Sequence, residues 1–158
     1  MISTIKNLTR RLPGTSTRTF VVYPLVTLAW ELLLHGGQLR FAPLFLPLMA
    51  WGYLQYRLCG RYRIQRGGGG PGMDTPPERL VTTGPFAYTR NPMYLGHIIF
   101  LVGLALTLHS PLAALLAAFT AVWLHYRVRR DERRLVERFG EPYAAYLGRT
   151  KRWVPWLL

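Results

Sequence analysis

Four apolar stretches, each bordered by basic residues, constrain this chain more than any other feature. They are Thr19–Leu34, Phe41–Cys59, Met93–His109 and Ser110–Tyr126. Each has about 16 to 19 residues, or about 24 to 28 Å of helix, which reaches the lower end of what crosses a bilayer. Half of the residues are hydrophobic, yet the formal net charge is +13. This combination predicts an all-α integral membrane protein with about four transmembrane helices.

The basic residues predict how those helices are oriented. They cluster before the first stretch, after the second and after the fourth, whereas the opposite side has only Arg40. The positive-inside rule therefore predicts that both termini and the middle loop are cytoplasmic. Because the arginines border apolar runs instead of forming one stripe, nucleic acid is not an expected partner. The three clusters are Lys6, Arg10, Arg11 and Arg18; Arg57, Arg61, Arg63 and Arg66; and Arg127, Arg129, Arg130, Arg133 and Arg134.

The sequence predicts a single domain of residues 1–158 with three parts. Residues 1–66 form an N-terminal helix pair, residues 67–79 a flexible cytoplasmic linker, and residues 80–158 a helical hairpin with its C-terminal tail. The linker contains Gly67–Gly70 followed by Pro71 and Gly72, a composition typical of flexible segments. No Lys-Ser or Lys-Thr follows these glycines, so a phosphate-binding loop is not predicted.

Capping residues define the hairpin and the tail. Ser110 and Pro111 predict the N-cap and the first residue of the fourth helix, tightly joined to the third. Asn91 and Pro92 repeat this pattern at the start of the third helix. The fourth helix is expected to continue into the cytoplasm until Gly140, a C-cap. A short helix, Pro142–Leu147, is expected after it.

The cytoplasmic extension of the fourth helix carries the first group of candidate functional residues. Glu132 lies within its apolar face, and Arg127 and Asp131 flank that face as an i,i+4 pair. A buried carboxylate needs a partner. Glu132 therefore either forms a structural ion pair with an arginine or serves as a functional carboxylate. The apolar residues that share its face are Val128, Leu135, Val136 and Phe139.

The segment Leu80–Gly96 is the second group. A Gly-Pro turn, two aromatic residues and Arg90 lead into a helix that starts with proline. Free N–H groups at that helix terminus, with Arg90 beside them, can hold an anion. The alternative is a capped return into the membrane, with Arg90 bound to a lipid phosphate.

Isolated ionisable residues in the apolar stretches leave further alternatives open. His97 and His109 are either helix–helix hydrogen-bond donors or ligands. Glu31, in the first helix, suggests function by its position in the membrane, but snorkelling to the interface explains it equally well. No histidine or carboxylate group has metal-ligand spacing, so no metal is predicted. The single cysteine, Cys59, excludes an internal disulfide.

Taken together, the two groups resemble the isoprenylcysteine carboxyl methyltransferase family and its phospholipid-methyltransferase relatives. The resemblance covers about half of the chain, with the motifs in the family's order. The matching motifs are Leu80-Val81-Thr82-Thr83-Gly84-Pro85-Phe86, Arg90-Asn91-Pro92-Met93-Tyr94-Leu95-Gly96, Asp131-Glu132-x-x-Leu135, Phe139-Gly140-Glu141-x-Tyr143-x-x-Tyr146 and Arg152-x-x-Pro155. The family usually has a histidine at the position of Asn91 and two glutamates at Asp131-Glu132.

The resemblance implies an S-adenosyl-L-methionine-dependent methyltransferase in a bacterial cytoplasmic membrane. Its acceptor would be lipophilic, either isoprenylcysteine carboxylate-like or another lipid, with membrane lipids as further partners. Catalytic roles fall on Arg127, facing the substrate, and on Glu132. The implied cofactor-binding residues are Glu78, Arg79, Leu80, Val81, Phe86, Arg90, Asn91, Pro92, Met93, Tyr94, Asp131 and Glu132.

Two other functions are compatible with this sequence. One is an NADPH-dependent membrane reductase of the sterol or enone type, whose members generally have more membrane helices. The other is a non-enzymatic lipid-binding scaffold whose arginines contact anionic head groups. The identity of the acceptor, the methylated atom and the oligomeric state do not follow from the sequence.

Overall fold

A computed structural model describes residues 14–70 and 75–153 of the chain. These residues form helices and contain no strand, as the sequence predicts; one isolated bridge pairs Thr89 with Lys151. Predictions that concern Lys6, Arg10, Arg11, Pro71, Gly72 and Pro155 lie outside the described residues. The helices are α1 (Thr15–Leu34), α2 (Leu46–Gly67), α3 (Pro85–Tyr88), α4 (Pro92–Leu108), α5 (Pro111–Phe139) and α6 (Glu141–Arg149).

Two of these helices, α1 and α5, are long and apolar enough to cross a membrane by length and composition, and α4 is apolar but shorter. Large apolar side chains also point outward from the bundle. Leu33 on α1 is 82% exposed, Trp51 on α2 is 56% exposed and Leu115 on α5 is 66% exposed. Outward-facing apolar surface of this extent is characteristic of helices that contact lipid.

Glycines bring α2 and α4 into close contact. A Cβ atom on Gly52 would overlap the backbone nitrogen of Phe100, and one on Gly96 would lie 2.7 Å from the carbonyl oxygen of Gly52. One on Gly103 would lie 2.7 Å from the nitrogen of Met49. Small residues allow this approach in a bilayer, where packing replaces hydrophobic exclusion as the source of helix association. The tight α2–α4 pair fixes the start of α4, which forms part of the site.

The hairpin between α4 and α5 has the predicted structure. His109 adopts a left-handed conformation with φ of 48° after the last residue of α4. The backbone N–H of Ala113 donates to Ser110 Oγ at 3.2 Å, and Pro111 begins α5. Asn91 likewise occupies the predicted N-cap position of α4, with Pro92 as its first residue, but the Asn91 side chain makes no capping bond and donates instead to the carbonyl oxygen of Arg152 at 3.1 Å.

Glu31 is a structural group near the hairpin turn. It is 2% exposed, accepts a hydrogen bond from Ser110 Oγ at 2.5 Å and lies 3.2 Å from His35 Nε2. The snorkelling interpretation of Glu31 is therefore wrong, because the carboxylate is held inside the bundle. Its contacts connect α1 to the start of α5.

The C-terminal part of the chain returns toward the start of α4. At the end of α5, Gly140 has φ of 61° and its N–H donates to the carbonyl oxygen of Val136 at 2.8 Å, which confirms the predicted C-cap. The following helix is longer at both ends than Pro142–Leu147. Beyond it, the N–H of Arg90 donates to the carbonyl oxygen of Lys151 at 2.9 Å. The tail thus lies beside the α3–α4 connection.

Candidate active site

A cavity of about 490 Å³ lies between the end of α2, the segment before α3, the start of α4, the extension of α5 and α6. This volume is within the range of small-molecule sites. Most of the residues predicted for cofactor binding or catalysis surround it. Those residues are Leu80, Val81, Phe86, Arg90, Asn91, Pro92, Met93, Tyr94, Arg127, Asp131 and Glu132.

Glu78 and Arg79 are the two predicted residues that do not line this cavity. Their backbone N–H groups each donate to the carbonyl oxygen of Gly67 at 2.8 Å. A Cβ atom on Gly67 would lie 2.7 Å from Val81 Cγ2, so the segment packs directly against the end of α2. These bonds position the residues that follow, Leu80 and Val81, at the cavity wall.

Several cavity residues were not among those predicted. Arg130, Arg134 and Arg138 follow Arg127 at helical spacing along α5, a periodic signal that the sequence does contain. Arg63 comes from α2 and has no comparable signal. Its guanidinium donates to the carbonyl oxygens of Thr75 at 2.7 Å and Gly70 at 3.0 Å, which holds the segment beside the cavity. The remaining lining residues are Pro76, Pro77, Leu135, Tyr143 and Tyr146.

Glu132 is buried and forms ion pairs with two arginines. Arg90 Nε donates to its Oε1 at 3.0 Å, and Arg152 Nη2 donates to its Oε2 at 2.7 Å. Arg152 Nε adds contacts to both oxygens. Breaking a buried pair by removing one partner costs about 3 to 5 kcal/mol, because a buried charge is left unpaired. Of the alternatives that the sequence leaves open for Glu132, the structural ion pair is the arrangement observed.

The same arginine fastens the C-terminal segment. Arg90 Nη1 donates to the carbonyl oxygens of Leu147 at 2.7 Å and Thr150 at 2.6 Å. Thr89 Oγ1 donates to the carbonyl oxygen of Arg152 at 3.1 Å, beside the bond from Asn91. With these partners the Arg90 guanidinium binds the protein's own carbonyl groups and carboxylate, which favours a positioning role over contact with a lipid phosphate.

Asp131 has a different environment from its neighbour in the chain. Tyr94 donates its hydroxyl to Asp131 Oδ2 at 2.7 Å, and Arg127 Nε lies 3.5 Å from the same oxygen. The predicted i,i+4 pair is therefore formed. Among the described residues these contacts reach only Oδ2, and 27% of the side chain is exposed. Asp131 thus presents negative charge to the cavity.

Arg127 is held by aromatic rings and hydroxyl groups. Its Nε donates to Tyr94 Oη at 3.1 Å, and its Nη1 donates to Thr15 Oγ1 at 3.3 Å. The guanidinium carbon lies 5.3 Å from the centre of the Trp123 ring, within the range of a cation–π contact. These contacts place the positive charge between the start of α1 and the cavity.

Two tyrosines of α6 close the cavity on the side of the tail. Burial raises the pKa of both Tyr143 and Tyr146, and the charge of Glu132 adds to the effect. Both phenols therefore stay protonated over the physiological pH range. Tyr146 donates its hydroxyl to the carbonyl oxygen of Phe86 at 2.5 Å, which joins α6 to α3.

His97 lies inside the bundle on α4 and is 0% exposed. Neither ring nitrogen has a hydrogen-bond partner among the described residues, so the helix–helix hydrogen bond, one of the two alternatives for His97, is not formed. The rings of Phe20 and Tyr56 lie 4.6 and 4.8 Å away, centre to centre. Each unsatisfied buried polar atom costs about 1 to 3 kcal/mol.

The same region of the chain is similar to proteins of known families. Residues 69–141 match the phospholipid methyltransferase family model. Protein-S-isoprenylcysteine O-methyltransferase of Mus musculus is 34% identical over 80 residues, which are 49% of this chain and 28% of the mouse protein. Methanethiol S-methyltransferase 1 of Bradyrhizobium diazoefficiens is 29% identical over 85 residues, which are 54% of this chain and 29% of that protein.

A plant relative matches in the same way: protein-S-isoprenylcysteine O-methyltransferase B of Arabidopsis thaliana is 33% identical over 82 residues, 51% of this chain and 41% of the plant protein. The matches thus cover less than half the length of each relative. The family-model match takes in α3 and α4 and extends along α5 past Asp131 and Glu132. The region that carries the cavity is thus the region in which this chain is similar to phospholipid and isoprenylcysteine methyltransferases.

Proposed function

We propose that this protein is an integral membrane methyltransferase that uses S-adenosyl-L-methionine to methylate a lipophilic acceptor. The observation that carries the proposal is the cavity beside α4 and α5, where Asp131 presents charge next to Tyr94 and Arg127. The residues that form this arrangement lie within the segment that matches the methyltransferase family.

The proposed topology has four spans, formed by α1, α2, α4 and α5, with both termini in the cytoplasm. The apolar outer surfaces of α1, α2 and α5 support it. Arginines follow the apolar part of α2, and others follow the apolar part of α5 next to the cavity. Because basic residues are retained on the cytoplasmic side, we expect the cavity to open there.

The residues of the cavity fit S-adenosyl-L-methionine in both size and chemistry. When bound, the cofactor supplies a methyl carbon made electrophilic by a positively charged sulfur. Asp131 is the proposed contact for a cationic group of the cofactor, because its carboxylate is partly exposed and points its charge into the cavity. Phe86 and Met93 provide apolar surface for the adenine ring.

Glu132 is proposed to act by positioning other residues. Its carboxylate holds Arg90 and Arg152, and these hold the C-terminal segment against the start of α4. The role follows from the number of bonds that its two oxygens already make. Arg127 is the proposed contact for the acceptor, since its guanidinium lies between α1 and the cavity and suits an anionic head group.

The acceptor class is proposed from the chemistry of Arg127 and from the relatives. Those relatives are named for methylating an isoprenylcysteine oxygen and the sulfur of methanethiol. Methyl transfer needs chiefly alignment of nucleophile and methyl carbon, which a preorganised cavity supplies. A lipophilic acceptor would keep its apolar chain among the membrane helices while its polar end reaches the cavity.

The test uses purified protein in lipid nanodiscs with methyl-labelled S-adenosyl-L-methionine. N-acetyl-S-farnesylcysteine, methanethiol and a total lipid extract are offered separately, and products are identified by mass spectrometry. We expect label in at least one acceptor and binding of S-adenosylhomocysteine by calorimetry. Binding of NADPH without binding of S-adenosylhomocysteine would contradict the proposal and favour a reductase. Absence of both would favour a lipid-binding scaffold.

A further inference from the structure

His97 is an unusual residue to find at the centre of an apolar bundle. Neither of its nitrogens has a hydrogen-bond partner among the residues that the structure describes, although the ring is completely buried. A phenylalanine or leucine at this position would avoid the loss of hydration without giving up any bond. The unpartnered imidazole therefore does not add to stability, and its two free nitrogens point to a polar group that it contacts during function.

The position of His97 relates it to the cavity. It follows Met93 by four residues and Tyr94 by three, and both of these line the cavity. Residues at these spacings share a helix face, so His97 lies one turn further into the bundle on the face that borders the cavity. His97 itself does not line the cavity, so a group in the cavity reaches it only past the residues that cover it.

The two rings that cover His97 are held differently. Tyr56 accepts a hydrogen bond from Ser16 Oγ at 2.7 Å, which fixes its position. Phe20 is held by apolar packing, with the rings of Phe100 at 4.9 Å, Tyr56 at 5.0 Å and Tyr53 at 5.2 Å between centres. It also belongs to a π-helical turn of α1, Arg18–Val22. Turns of this type widen a helix and frequently occur at functional sites. Phe20 can thus move without breaking a hydrogen bond.

We propose that His97 is the polar contact of the methyl acceptor inside the bundle and that Phe20 moves aside to admit it. This inference rests on the proposed function. A neutral imidazole has one donor and one acceptor nitrogen, so it can bind a carboxylate, a hydroxyl or a thiol. His97 orients the head of the acceptor from the membrane side, while Arg127 contacts it from the side of α5.

The test separates a role in acceptor binding from a role in folding. His97→Phe is compared with wild type for melting temperature, S-adenosylhomocysteine affinity and kcat/KM. The acceptor is the one that wild type methylates most rapidly among N-acetyl-S-farnesylcysteine, methanethiol and total lipid extract. We expect an unchanged or higher melting temperature, S-adenosylhomocysteine affinity within about twofold of wild type, and kcat/KM lower by at least about tenfold. His97→Asn restores polar contacts and should recover part of the loss.

Thr107→Val is the matched control. Thr107 is buried at the far end of α4, and its hydroxyl also has no partner among the described residues. This variant should match the stability effect of His97→Phe and retain wild-type turnover. The proposal is overturned if His97→Phe keeps wild-type turnover, if it melts lower or loses S-adenosylhomocysteine affinity, or if His97→Asn recovers nothing. A wild-type protein without S-adenosylhomocysteine binding or methyl transfer would instead overturn the proposed function, and this inference with it.

Discussion

Asp131 and Glu132 are consecutive carboxylates on one helix, yet their surroundings differ completely. Glu132 is enclosed by Arg90 and Arg152, and both of its oxygens are bonded. Asp131 shares one oxygen with Tyr94 and Arg127 and keeps part of its surface in the cavity. The comparison teaches that a motif of two acidic residues contains two roles. One carboxylate stabilises the arrangement of the chain, and the other is available to a ligand.

Replacement of Glu132 by alanine should have the largest effect on stability. Arg90 and Arg152 would lose a shared buried counter-ion, which costs about 3 to 5 kcal/mol and detaches the C-terminal segment. We expect a much lower melting temperature in detergent together with loss of S-adenosylhomocysteine binding. Glu137→Ala, an exposed glutamate on the same helix, is the control. A melting temperature for the Glu132 variant equal to that of this control would remove the distinction between the two carboxylates.

Replacement of Asp131 by asparagine should have the opposite signature. The amide oxygen can still accept the hydrogen bond from Tyr94, so the melting temperature should stay close to wild type. Loss of a hydrogen bond to a charged group costs about 1.5 to 3 kcal/mol, which predicts about 10- to 150-fold weaker S-adenosylhomocysteine binding by calorimetry. Unchanged affinity, or a fall in stability as large as that of the Glu132 variant, would contradict the assigned role.

Arg152→Lys tests the geometry of the Glu132 pair with its charge retained. Lysine is a point charge and cannot form the paired contacts of a guanidinium. We expect a loss of about 1.5 to 3 kcal/mol in unfolding free energy, in line with a charged hydrogen bond. Limited proteolysis of the C-terminal segment should accelerate in parallel. If the Arg152→Lys variant has the proteolysis rate and the melting temperature of wild type, charge alone holds the segment.

Tyr94→Phe tests the contacts of Asp131 and should have the smallest effect of these four replacements. It removes the hydroxyl that bonds both Asp131 and Arg127, but these two charged groups remain paired with each other at 3.5 Å, so we expect a net cost of about 0.5 to 1.5 kcal/mol. We expect a modest decrease in kcat/KM for methyl transfer with little change in melting temperature. A decrease as large as that of Asp131→Asn would mean that Tyr94 contacts the ligand directly.

Much of the site was predictable because its residues follow local patterns. The i,i+4 pair of Arg127 and Asp131 and the location of Glu132 on the apolar face follow from helical periodicity alone. Ser110 and Gly140 were correctly predicted as caps from their residue types. The motifs around Arg90 and Tyr94 indicated the cavity wall through the family resemblance.

Other parts of the site depend on pairs of residues that are far apart in the chain. Arg63 reaches the cavity only because α2 packs against α4 through glycines. Asn91 lies at the predicted N-cap position, but its side-chain N–H donates to the carbonyl oxygen of Arg152, 61 residues away, and makes no capping bond. Glu78 and Arg79 lie outside the cavity because their backbone groups bond to Gly67. No local pattern contains this information.

By itself the sequence determined the helices, the basic borders of the apolar stretches, the caps of the hairpin and the order of the family motifs. These features depend on side-chain periodicity and charge, which are local properties of a chain. Only the tertiary structure decided which carboxylate is enclosed and which faces the cavity. Consecutive helical residues point about 100° apart, so the partners that each meets depend on how the tail and the neighbouring helices pack. The same packing leaves His97 buried without a hydrogen-bond partner among the residues that the structure describes.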